Sequence, residues 1–144
     1  MARTNFSGPI ALGGASMPRS ADTQDPNALT AAVTLTAAQS NGMHYILDGG
    51  TGFGITLPAP SQGWRCRFTI GAAFTTDFVF TAATAGQLQG SVIEAGVLQL
   101  VAASDTITLE DGAEAIGDFL EFSSDGTSIL TFGNFATASS VTPA

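Results

Sequence analysis

The segment Trp64-Arg65-Cys66-Arg67-Phe68-Thr69-Ile70 decides the fold class. In an extended chain successive side chains point to opposite faces. Trp64, Cys66, Phe68 and Ile70 then share one side, and Arg65, Arg67 and Thr69 the other. At the 3.6-residue period of a helix the same four large groups would be split between opposite sides. The segment reads as a strand with one face in a core and one face carrying two positive charges.

Working outward, the same signature recurs at short intervals. Val33 and Leu35 alternate with Thr34 and Thr36. His44-Tyr45-Ile46-Leu47 ends at Asp48-Gly49-Gly50, and Ile55-Thr56-Leu57 ends at Pro58 and Pro60. Further strands fall at Phe78–Thr81, Ser91–Glu94, Gly96–Val101, Thr106–Leu109, Asp118–Ser123 and Ser128–Phe132, with tight-turn chemistry at Asp111-Gly112 and Asp125-Gly126. Thr36-Ala37-Ala38-Gln39 has capping-box spacing for one helical turn, which Gly42 can end. Short strands at roughly 8–12-residue spacing predict an all-β sandwich or barrel rather than βαβ units. The expected fold is one β-sandwich or jelly-roll-like domain of about 8–10 short strands over residues 30–144. Val33-Thr34-Leu35, Ile55-Thr56-Leu57 and Ile107-Thr108-Leu109 look alike, but their uneven spacing reads as convergent strand patterning, not as a tandem repeat.

Composition agrees. The chain has 144 residues, one domain's worth, and Ala, Thr, Gly and Ser make up nearly half of it. Thr favours strands, while Lys, a common surface residue of helices, is absent and Glu occurs only 4 times. Only 11% of residues are charged, with 4 Arg against 12 acids and a net charge of −8. Nucleic-acid binding needs clustered cations, as does adsorption to an anionic membrane, so neither partner is expected.

Residues 1–29 differ from the rest. Gly8, Pro9, Gly13, Gly14, Pro18 and Pro26 break regular structure, while Phe6, Ile10, Leu12 and Met17 are apolar without a period. The stretch reads as an extended N-terminal arm, either ordered by a partner or solvated. Met1–Phe6 lacks the apolar run of a signal peptide, no segment has the length of a membrane span, and the single Cys66 forms no intrachain disulfide. The expectation is a protein made in a reducing compartment.

Chemistry-bearing residues are few. His44 is the one side chain with an ordinary pKa near neutrality, and no Gly-x-Ser-x-Gly accompanies it. Cys66 lies between Trp64 and Phe68 on the apolar face, where burial makes a thiol inert. Glu110, Asp111 and Glu114 share one loop, but their spacing fits no calcium-loop motif. Gly49-Gly50-Thr51-Gly52 lacks the Lys of a phosphate loop. No catalytic, cofactor or metal residue is expected. Arg65 and Arg67, half of all the cations, are candidates for ion pairs with a neighbouring strand, another subunit or a partner.

Three stretches resemble the small capsid decoration (cement) proteins of tailed bacteriophages. They are Val33-Thr34-Leu35-Thr36-Ala37-Ala38-Gln39-Ser40, Ile55-Thr56-Leu57-Pro58-Ala59-Pro60 and Gly117-Asp118-Phe119-Leu120-Glu121-Phe122-Ser123-Ser124-Asp125-Gly126-Thr127. The resemblance spans about Thr30–Phe132 and rests on strand-and-turn patterns. Ser128-Ile129-Leu130-Thr131-Phe132 departs from it, standing where a more aromatic strand is expected. The resemblance implies a structural virion protein, not an enzyme, that sits on the capsid exterior as a homotrimer at threefold and quasi-threefold positions. It implies the major capsid protein as partner, clasped by an arm around Phe6, Pro9, Ile10 and Leu12. The alternative it leaves open is an adhesive fibre or carbohydrate-binding module.

Overall fold

From Asn27 to Thr81 the chain passes alternately between two sheets. The computed structural model describes residues 27–144 and, ahead of them, only the antiparallel pairing of β1 (Ala11–Leu12) with β2 (Ala15–Ser16). The alternating strands are β3 (Asn27–Leu29), β4 (Val33–Thr34), β5 (Met43–Gly50), β6 (Gly54–Thr56), β7 (Arg65–Phe74) and β8 (Phe78–Thr81). β3, β5 and β7 lie parallel in one sheet; β4, β6 and β8 lie parallel in the other. Each pair of strands is thus one coil of a short winding, stacked on the next.

The second half runs back over these coils and closes them. It comprises β9 (Leu88–Glu94), β10 (Val97–Ser104), β11 (Thr106–Leu109), β12 (Phe119–Ser124), β13 (Ile129–Phe135) and β14 (Val141–Pro143). β12 pairs antiparallel with β7, and β11 antiparallel with β8. The result is a sandwich of a seven-stranded sheet, in the order β10-β9-β13-β12-β7-β5-β3, and a five-stranded sheet, β14-β11-β8-β6-β4. The fold is all-β, with one helical turn, α1 (Ala37–Ser40). Its mixed sheets differ from the two antiparallel Greek keys of a jelly roll in the parallel coils of the first half.

The look-alike triplets have a structural reason. Val33 is the register partner of Ile55, which is the partner of Phe80, so the first two triplets stand side by side in one sheet, one coil apart. Ile107 faces Phe80 from the other side. Ile55, Phe80 and Ile107 are wholly buried, because each fills the same layer of the core. The 22 residues between the first two triplets are one turn of the winding. Convergent patterning was expected, and stacking is what the register shows.

One boundary shifts, and one short strand is added. β3 lies within the stretch read as arm and pairs with β5, so the sandwich begins at Asn27 rather than at residue 30. Three residues behind Pro26 are too few to display a period, and Leu29 is held by packing on the core. β14 is likewise short and ends in Pro143, which is tolerated because β14 is a sheet edge.

The core between the sheets is aromatic. Phe68 meets Phe80 edge-on at 4.7 Å between ring centroids and Phe122 at 5.9 Å, with Tyr45 stacked on Phe68 at 5.2 Å. Trp64, Cys66, Phe68 and Ile70 all point into this layer, as their alternation requires. The helical turn is tied to it. Thr36 caps the turn by accepting from the backbone N–H of Gln39, and Ser40 Oγ accepts the Trp64 indole N–H at 2.9 Å. Gly90, within β9 at φ +136°, lies so near β13 that a Cβ would strike the Thr131 backbone carbonyl. Glycine is the residue that fits there.

Candidate protein-contact face

β7 carries its outward residues onto the open face of the seven-stranded sheet. Register aligns one row across it: His44 on β5, Arg67 on β7, Glu121 on β12, Phe132 on β13, Ser91 on β9 and Leu100 on β10. The row changes character along its length. It is cationic and polar at one side and apolar at the other.

On the cationic side Arg65 is exposed and Arg67 half-buried. Among the described residues neither forms an ion pair. Glu121 is the register partner of Arg67, yet the guanidinium lies over the ring of Phe119, its diagonal neighbour, 3.9 Å from the centroid. Such a cation–π contact holds the arginine flat while leaving its charge unneutralised. His44 Nε2 is 2.8 Å from Thr69 Oγ1. Burial, and then the positive charge of Arg67, lower the His44 pKa below 6.5, so the ring is neutral at pH 7. These side chains rim an open groove of about 260 Å³, below the roughly 300–1,000 Å³ of small-molecule sites. Cys66 points away from the groove into the core, where burial, and then the charge of Glu121, push its thiol far up, so it is no nucleophile at neutral pH.

On the apolar side Leu98 and Leu100 of β10 are 67% and 71% exposed, and Leu130 and Phe132 of β13 are 44% and 49% exposed. Val97, at the head of β10, is also exposed. β9 lies between the two ridges with Gln89, Ser91 and Ile93 outward, the short Ser91 standing between Leu100 and Phe132. The outward positions of β9, β10 and β13 carry no charge. Sequence reasoning missed this half, because alternation shows which residues share a face but not which face stays open. The cue was in β10, where Val97, Leu98, Leu100 and Val101 are apolar on both sides of the strand.

Several acidic residues hold backbone amides. Asp118, buried, accepts from the backbone N–H groups of Ala115 and Ala136, both at 3.0 Å. Glu94 accepts from Val141 N–H, Asp77 from Asp111 N–H and Glu114 from Phe74 N–H. Among the described residues no group of three metal-ligating side chains gathers, and no helix is long and apolar enough to cross a membrane. Of the arm residues, Phe6, Pro9 and Ile10 lie outside the described residues, and Leu12 is described only as part of β1.

Comparison with protein-family models, with curated proteins and with solved structures gave no match.

Proposed function

We propose that this chain is a structural virion protein. It binds the outside of a tailed-phage capsid as a homotrimer, at threefold or quasi-threefold positions, and stabilises the lattice there. The observation that carries the reading is the open face of the seven-stranded sheet, where an apolar half adjoins two arginines that form no ion pair among the described residues. A contiguous exposed apolar patch on a small domain marks a surface that meets another molecule. Arginine held ready on an aromatic ring suits an acidic partner surface, through charge-assisted hydrogen bonds. The strand-and-turn resemblance supplies the particular particle. A symmetric trimer multiplies small contacts, so patches of this size suffice for firm attachment. The partners in this reading are the major capsid protein and two further copies of the chain.

The reading of an adhesive or carbohydrate-binding module is weaker. Trp64 and Tyr45, the residues most suited to a sugar platform, are both in the core.

The test mixes the purified chain with undecorated particles of the virus that carries it and pellets the particles. The wild-type chain is expected to pellet at a saturating ratio of three copies per site. Arg65→Ser/Arg67→Ser is expected to bind more weakly with an unchanged far-ultraviolet spectrum, since the buried face of β7 is untouched. A wild-type chain that stays in the supernatant at low and high salt alike contradicts the reading.

A further inference from the structure

The two halves of the open face have different chemistry, and that difference assigns them different occupants. We propose that the uncharged half, formed by β10, β9 and β13, is the surface on which a second copy of this chain docks. The assignment deepens the reading above and rests on it only for the number of copies.

Charge argues first. Each copy carries −8, so two copies repel one another except where both present neutral surface. The outward positions of these three strands are neutral throughout, with Leu98, Leu100, Leu130 and Phe132 exposed among them. The arginines, the cations among the described residues, stand on the other half and remain open to an acidic partner of a different kind.

Shape argues second. Leu98 and Leu100 form one ridge and Leu130 and Phe132 another, with the short Ser91 between Leu100 and Phe132. The β10 ridge of one copy can seat over Ser91, between the ridges of the next. That contact is head-to-tail, and it closes into a ring when the rotation between copies allows.

Area and edge argue third. The three strands at about 4.8 Å and about six residues at about 3.4 Å give the half-face roughly 300 Å² in plan. That is a little over a third of the roughly 800 Å² per partner in a stable interface. The edge can supply the remainder. Among the described residues β10 is the outermost strand of its sheet and its far side is unpaired, and its sequence Val97-Leu98-Gln99-Leu100-Val101-Ala102-Ala103-Ser104 holds neither the charge nor the proline that blunts an open edge.

The experiment is sedimentation velocity of the full chain over a concentration series, alongside Leu100→Ser/Phe132→Ser and, separately, Leu98→Lys at the exposed edge. Thermal melts show which variants are folded, and Leu98→Lys stands in should the double variant not fold. The wild-type chain is expected to associate. Each folded variant is expected to associate about 100-fold more weakly or worse, while Arg65→Ser/Arg67→Ser associates as wild type does. Variants that associate like the wild type overturn the placement and leave the capsid reading standing. A wild-type chain that stays monomeric, but loses particle binding through Leu100→Ser/Phe132→Ser, overturns the second copy in favour of a capsid subunit on this face. A monomer that binds no particle removes both.

Discussion

His44 shows how much one residue owes to its neighbours. Its folded pKa is lowered, chiefly by burial and then by Arg67, while the unfolded value stays near 6.5. The unfolded chain therefore takes up the proton first. The residue's contribution to stability is full above about pH 6.5 and is lost as pH falls through the lower folded value. His44→Gln is expected to flatten that part of the curve, read as the difference between wild-type and variant denaturation midpoints from about pH 7.5 to 5. A constant difference across that range contradicts it. Ser40 gives a second case. It accepts the Trp64 indole N–H in the core, so Ser40→Ala strands a buried donor and is expected to cost about 1–3 kcal/mol in denaturant melts. Ala95 is the opposite case. It stands at φ +48° before Gly96 at φ +81° in the turn between β9 and β10, a conformation Asn or Gly adopts more readily. Ala95→Gly is expected to stabilise by up to about 1 kcal/mol, seen as a higher melting temperature.

Among the elements, β7 and α1 were the most legible in the sequence, and for physical reasons. β7 alternates strictly from Arg65 to Ile70, and α1 carries its capping box in adjacent residues, so both are settled by local chemistry; the end of β7, Gly71-Ala72-Ala73-Phe74, reads as a loop in the sequence because its small residues show no contrast between faces. The pairing of the coils was not legible. Whether Val33-Thr34-Leu35 lies beside Ile55-Thr56-Leu57 depends on how the chain crosses between sheets, and loop composition does not encode that direction. β3 and β14 were invisible because two or three residues have no period; packing and the sheet ladder hold them. The candidate face was half legible. Arg65 and Arg67 announced themselves by alternation, whereas the apolar ridges emerged only when β10 became a sheet edge. At this scale the junctions between β9, β12 and β13 are the sensitive points. Gly90→Ala meets both a positive φ and the Thr131 carbonyl, and is expected to cost about 2–4 kcal/mol or to prevent folding. Asp118→Ala releases the backbone amides of Ala115, in its own loop, and of Ala136, just after β13, and is expected to cost about 2–3 kcal/mol, with the spectrum of the sheets retained.

For the whole molecule, the fold is a two-sheet sandwich whose larger sheet carries exposed Leu98, Leu100, Leu130 and Phe132, and its proposed role is to join other proteins rather than to transform a substrate. The arm is the remaining part of that proposal. In that proposal Phe6, Pro9, Ile10 and Leu12 are the capsid-contact residues, and removal of residues 1–26 leaves every strand of the sandwich in place. The truncated chain is expected to melt cooperatively and to lose its hold on particles. Truncated protein that binds particles as tightly as the full chain contradicts the role of the arm. The most direct measurement is a reconstruction by electron microscopy of the native particle from the virus that carries this chain. The account predicts three copies around each threefold and quasi-threefold position on the outer surface, with β9, β10 and β13 facing a neighbouring copy and Arg65 and Arg67 facing the shell. A bare outer shell, or density for this chain only at a tail or fibre, would contradict it.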